Sequence, residues 1–151
     1  VSEGEVTDFD WTVRALIYES FATTGEAPAL AQLAAEAGGT EHQIDASLGR
    51  LFAAHEVATL SDGRIWMANP FSAMPTAYPV ETREMTCWAS CAWDALGVPA
   101  ILGTDAWIRT TCAESGAALA FGVVDGELAG DDGVIHLVTP LRDAWADIGF
   151  T

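Results

Sequence analysis

The sequence predicts an α+β fold: an N-terminal winged-helix-like module of three helices with a hairpin, then a mostly antiparallel sheet with short helices. Three observations lead there. The first half carries three stretches whose apolar residues recur at helical spacing, each bounded by capping or glycine signals. Two short alternating segments around Ser61-Asp62-Gly63 follow them, as in a hairpin. The second half breaks into short apolar runs separated by glycine and proline, with few helical stretches between them. Half of the 151 residues are hydrophobic. At this length roughly 70% of the unfolded chain's surface can be buried, so a core forms without disulfide staples.

Element by element, Asp10 is the expected N-cap of a first helix with Trp11, Val13, Leu16, Ile17 and Phe21 on one face, ending near Gly25. A short second helix runs from Pro28 to Ala37, with Pro28 in its first turn and Gly38-Gly39 as its stop. Thr40-Glu-His-Gln43 has the capping-box spacing and opens a third helix through Ile44, Leu48, Leu51 and Phe52. Val57 to Leu60 and Arg64 to Ala68 form the hairpin, which closes a module over 1–68. Asn69 to Pro75 reads as a bend, since two prolines disfavour a regular element. The second module, 69–151, is expected to contain strands over Ala77–Thr82, Ala106–Cys112, Ala118–Val124 and Val134–Val138. A compact helix spans Cys87–Leu96, stopped by Gly97 and Pro99, and a last one covers Leu141–Ile148.

The charge balance narrows the partners. Twenty-two acidic residues face six basic ones, all arginine, for a formal charge of -16. Such a chain repels polyanions, so nucleic acid and anionic membrane are poor partners. Helix, helix, helix and hairpin is the order of a DNA-binding winged helix. Its reading helix, however, would offer Glu41, His42, Gln43, Asp45, Ser47 and Arg50, one arginine among carboxylates. A packing role is the better expectation. No apolar run approaches the roughly 20 residues of a membrane span, and no leader pattern opens the sequence, so a cytoplasmic setting is expected.

Three cysteines, Cys87, Cys91 and Cys112, are an odd count without an export signal, which favours free thiols over a disulfide framework. On the expected helix Cys87 and Cys91 stand i, i+4 and share a face, where they could hold a soft metal. Cys91 and Asp94 stand i, i+3, with Trp88 and Trp93 as apolar walls. A thiolate captures a soft, thiophilic metal centre, and a neighbouring acid gives a proton to the group that leaves. The bland alternative is a structural cysteine beside a first-turn aspartate. His42, His55 and His136 lack paired spacing and read as surface or hydrogen-bonded residues.

The wording around the pair carries more information than its spacing. Asn69-Pro-Phe-Ser72, Pro75-Thr76, Cys91-Ala-Trp-Asp-Ala-Leu-Gly-Val-Pro-Ala-Ile-Leu-Gly103 and Cys112-Ala-Glu-Ser-Gly116 resemble the organomercurial lyase (alkylmercury lyase) family in order and spacing. The resemblance implies an alkylmercury-lyase-like α+β catalytic domain over 69–151. It implies that Cys91 takes the mercury of R–Hg–X, that Asp94 handles the proton, and that Cys112 is a structural thiol that is buried. The family's second active cysteine comes late in the chain. The segments His136 to Pro140 and Trp145 to Thr151 resemble the stretch leading to it, and no cysteine follows in the sequence given. A chain that continues, a degenerate relative, or substitution by Cys87 would each account for that.

The function expected from the resemblance is protonolysis of carbon–mercury bonds. No resident cofactor is required. Mercury is substrate and product ion, and external low-molecular-weight thiols serve as reductant. The alternatives are a thiol-based metal-binding or sensing protein, a winged-helix regulator, and a relative acting on another substrate.

Overall fold

The computed structural model describes residues 4–149. Residues 1–3 and 150–151, the outer ends of both expected modules, lie outside them; Phe150 and Thr151 end the segment likened above to the family's late stretch. Helix α1 (Asp8–Thr24) is capped by Thr7 rather than Asp10. The Thr7 hydroxyl accepts the Asp10 N–H at 3.3 Å, and the Asp10 carboxylate accepts the Thr7 N–H at 2.7 Å. Asp10 is therefore the third residue of a capping box. Its side chain is fully buried, and Arg50 grips it with two bonds of 2.8 and 2.7 Å. Burial opposes ionisation of Asp10, but hydrogen bonds led by that from Arg50 outweigh it and hold the carboxyl well below the usual range.

Helix α2 (Leu30–Ala37) starts two residues later than expected, with Pro28 buried in the connection before its Ala29 cap. Helix α3 (Glu41–Ala53) opens on the Thr40–Gln43 box that its sequence announces. Val13, Ile17, Phe21, Leu33, Ile44, Leu48 and Leu51 close the three-helix core. Phe52, expected on that face, is 43% exposed and meets Trp145 edge-on, with ring centroids 5.9 Å apart.

Among the described residues one eight-stranded antiparallel sheet follows: β1 (Ala58–Thr59), β2 (Ile65–Ala68), β3 (Phe71–Ser72), β4 (Pro79–Thr82), β5 (Thr86–Ala89), β6 (Ala106–Thr111), β7 (Ala118–Val124) and β8 (Glu127–Gly130). Its order is β1-β2-β3-β5-β4-β6-β7-β8. β1 and β2 are the expected hairpin. The bend over 69–75 contains a strand after all. Pro70 and Pro75 flank Phe71 and Ser72 without occupying their ladder positions, and β3 pairs with β2 on one side and β5 on the other. The expected strand Val134–Val138 does not form. Its alternating side chains find no partner edge among the described residues, and Val134 and Val138 stand 94% and 77% exposed. The last helix is a 3-10 segment, Leu141–Asp147.

The sheet runs unbroken across the expected boundary at 68/69. Phe21 of α1 stacks on Phe71 of β3 with centroids 5.1 Å apart and planes within 5°. The buried cluster continues through Val80, Cys87, Ala89, Val98 and Ile108. Gly122 of β7 lies opposite Trp107 of β6, and a Cβ there would run into the Ala106 carbonyl. No helix among the described residues is long and apolar enough to cross a membrane.

Candidate active site

The helix carrying the Cys91–Asp94 pair begins later than the sequence suggests. Thr86–Ala89 is strand β5, Cys91 is the N-cap, and α4 covers Ala92–Leu102. Thr86 and Trp88 favour strand, and both neighbouring ladders, β3 and β4, are open to receive them, so pairing overrides the helical spacing. Gly97 and Pro99, expected as stops, lie inside α4. Pro99 forfeits the bond to the Ala95 carbonyl, and the helix runs on to a left-handed cap at Gly103. Gly97 faces the Pro70 ring: a Cβ there would make ordinary contact, 3.4 Å from the Pro70 Cβ.

The change of register separates two thiols that shared a face on paper. Cys87 faces Val80 across the β4–β5 ladder and is fully buried, so the one-turn spacing proposed for Cys87 and Cys91 does not exist. Burial pushes the Cys87 thiol up to about 11. Cys112 is not buried as expected. It is half-exposed just beyond β6, where its sulfur accepts the Ser115 N–H at 3.5 Å and its carbonyl accepts the Gly116 N–H at 2.9 Å. Hydrogen bonds from Ser115 lower its thiol. All three cysteines are free.

Cys91 and Asp94 do come together. The Cys91 thiol donates to Asp94 Oδ2 at 3.2 Å, and the Asp94 N–H points back at the sulfur at 3.5 Å. Both side chains are half-buried. Burial pushes the Cys91 thiol up to about 11; the Asp94 N–H pulls against it, and the Asp94 charge adds to the rise. Burial also raises the Asp94 carboxyl, while the Cys91 hydrogen bond lowers it. The arrangement is a protonated soft donor whose proton already faces a carboxylate able to take it.

Trp88 is half-buried in β5, opposite Ser72 and Pro79 in the ladders, whereas Trp93 is 59% exposed and stands towards solvent. Sequence reading missed Tyr18, whose phenol donates to the Asn69 carbonyl at 2.7 Å, and Ser90, whose N–H donates to the Pro70 carbonyl at 3.1 Å. Ser90 adjoins α4 in sequence, but only the fold brings Tyr18 and the Asn69-Pro70 carbonyls to it, and no spacing in the sequence signals these bonds. Among the described residues no group of three or more His, Cys, Asp or Glu side chains is placed to hold a metal ion. His42 and His136 are exposed, and His55 stacks on Trp145 at 4.7 Å. Two open clefts of about 470 and 510 Å³ lie over β4, β6 and β7, and neither is lined by Cys91 or Asp94.

Known proteins place the fold and the family. A family model described as alkylmercury lyase matches residues 71–151, more than half of the chain and all of the described part of α4 and its pair. A solved structure, the mercury-bound form of MerB2, superposes with a TM-score of 0.68 at 22% identity. The match covers 83% of this chain and 60% of that one, so this chain spans about three-fifths of its neighbour's length. At that identity the likeness shows the fold. No curated protein matches the chain. With the thiol–acid pair inside the matched region and the fold shared with the mercury-bound structure, the chain belongs to the alkylmercury lyase family.

Proposed function

We propose that this chain is an organomercurial lyase that cleaves carbon–mercury bonds by protonolysis, with Cys91 as the thiol that takes the metal and Asp94 as the proton carrier. The observation that carries this reading is the 3.2 Å hydrogen bond from the Cys91 thiol to Asp94 Oδ2. Mercury in R–Hg–X is soft and seeks sulfur. As the S–Hg bond forms, the thiol proton passes to Asp94 along the bond that already joins them, and X leaves as its anion. A small external thiolate then adds a second sulfur. The Hg–C bond breaks, carbon keeps the electron pair and takes the proton from Asp94, and R–H departs. Mercury remains Hg(II) between two sulfurs, and Asp94 is a carboxylate again. The raised Asp94 carboxyl suits a group that must hold a proton between the two steps.

We assign the second sulfur to a low-molecular-weight thiol rather than to Cys87, whose side chain is buried in β5. A cytoplasmic setting, where such thiols are kept reduced, suits that assignment. A regulatory role on DNA gains no support from α3, because its lone arginine, Arg50, is engaged by Asp10. In the presence of excess small thiol, the protein should release hydrocarbon from an arylmercury compound, measured by gas chromatography. Cys91→Ser and Asp94→Asn should each abolish release. Tight mercury uptake without hydrocarbon would replace the enzymatic reading with a metal-binding one.

A further inference from the structure

We propose that Tyr18 of α1 is a positioning residue for the Cys91–Asp94 pair, acting through the strap Asn69-Pro70-Phe71. The proposal rests on the protonolysis reading above. The Tyr18 phenol donates to the Asn69 carbonyl at 2.7 Å, at one end of the strap. Further along it, the Pro70 carbonyl accepts the Ser90 N–H at 3.1 Å, and the Phe71 carbonyl accepts the Ser90 hydroxyl at 3.2 Å. The Pro70 ring also lies against Gly97 of α4, close enough that a Cβ there would reach it at 3.4 Å. Ser90 immediately precedes Cys91, and Gly97 lies one turn of helix beyond Asp94. The strap therefore bears on the chain just before the pair and just after it.

The Tyr18 ring is itself held firmly. Arg14 lies over it with the guanidinium carbon 4.5 Å from the centroid, and Glu56 fixes Arg14 at 2.7 Å. Phe71 meets the ring edge-on at 6.3 Å and 74°. Burial raises the phenol, and the Asp94 charge is among the influences on it, in keeping with its place near the pair. The hydroxyl thus stays a donor throughout the neutral range. Proton delivery to a carbon depends steeply on where the donor stands, and displacements of a fraction of an ångström are felt in rate. Tyr18 acts through the strap, without contact to the reacting atoms. The Asn69-Pro-Phe-Ser72 wording acquires a physical role in the same step: it is the part through which the N-terminal helix holds the site.

Tyr18→Phe removes the hydroxyl and keeps the ring. Turnover of an arylmercury compound is measured in excess small thiol in a Cys112→Ser background, and normalised to the Cys91 thiols counted there by stoichiometric arylmercury capture before small thiol is added, since Cys87 is buried. The expected result is a fall in kcat of about fivefold, the worth of one net hydrogen bond. KM should stay within about twofold, and the solvent deuterium effect on kcat should grow as proton transfer becomes slower. A merely structural role would lower the fraction of competent thiols and leave turnover per thiol and the isotope effect unchanged, and that result overturns the proposal. If Tyr18→Phe does not fold, Ser90→Ala removes the hydroxyl bond to the Phe71 carbonyl at the strap's other end, while the backbone bond to Pro70 stays, and must give the same split. Unchanged turnover per thiol there overturns the proposal equally. A parent protein that captures mercury but releases no hydrocarbon overturns the protonolysis reading and this proposal with it, whereas an active parent matched by Tyr18→Phe overturns this proposal alone.

Discussion

The three thiols occupy three different settings, and those settings predict an order of reactivity. The attacking species is the thiolate, so a thiol held at about 11 is only about 0.1% ionised at pH 8. Cys91 is in that position, and Cys87 is there too behind a fully closed core. Cys112 is half-exposed and lowered by Ser115. Alkylation with iodoacetamide at pH 8, followed by peptide mass spectrometry, should label Cys112 first, Cys91 at least about tenfold more slowly, and Cys87 only on unfolding. Between pH 8 and 10 the Cys91 rate should climb with pH, because its thiolate is still being formed there, while the Cys112 rate levels off. Equal rates for Cys91 and Cys112, or a Cys91 plateau near pH 8, would contradict the buried, carboxylate-facing thiol. At this scale the sequence was half legible. Cys91 and Asp94 could be read from spacing and wording because both depend on residues three apart on one turn. Cys87 could not, since its orientation is decided by strands β3 and β4, which its own neighbourhood does not encode. Cys112 was misjudged for a related reason, because an apolar-looking residue at a strand end is buried only if something covers it.

At the scale of the element, α1, α3 and α4 begin in the same way. Thr7 and Asp10, Thr40 and Gln43, and Cys91 and Asp94 each stand at N-cap and third position, with the cap side chain accepting the N–H three residues on. In α4 a sulfur replaces the hydroxyl, so the thiol proposed above to take mercury also serves as a helix cap. The dual role separates chemistry from stability. Cys91→Ser supplies an oxygen of the preferred capping type, and its melting temperature should match or exceed that of the parent while mercury capture is lost. Cys91→Ala loses both, at about 1 kcal/mol of cap, or roughly 2–4 °C in Tm for a chain of this size. Thermal melts of the two variants side by side provide the test, and a serine variant that melts with the alanine one would sink the capping role. The Thr40 box was legible because Thr and Gln both fit the pattern. The Thr7 box was passed over because Asp10 is itself a good cap residue, and residue type alone does not say which of two candidates faces the helix end. The start of α4 was hidden because cysteine is not among the usual caps, and its end because Gly97 and Pro99 look like terminators.

At the scale of the whole molecule, the fold class and the succession of most elements could be read from periodicity and turn residues, but their union could not. A boundary at 68/69 is natural in sequence, where a hairpin ends and two prolines follow. In space β3 lies just past that boundary and joins β2 to β5, so the hairpin of the first half and the sheet of the second share one ladder. The stacked rings of Phe21 and Phe71 continue the same junction into the core. The Tyr18 bond to Asn69 closes it at the surface. Joining the halves this way removes two exposed strand edges and buries apolar faces that neither half could cover by itself. We therefore expect residues 1–68 and 69–151 to unfold together. In urea, tryptophan fluorescence, which draws on Trp11 and Trp66 in one half and Trp88, Trp93, Trp107 and Trp145 in the other, should trace the same transition as far-UV circular dichroism, which weighs the three N-terminal helices. Phe71→Ala removes the ring from the junction, and its cost of about 3–5 kcal/mol should move both transitions by the same amount. Two separated transitions in the parent, or a Phe71→Ala that shifts one probe alone, would mean that the halves are independent domains and that the N-terminal helices are not part of the site's foundation.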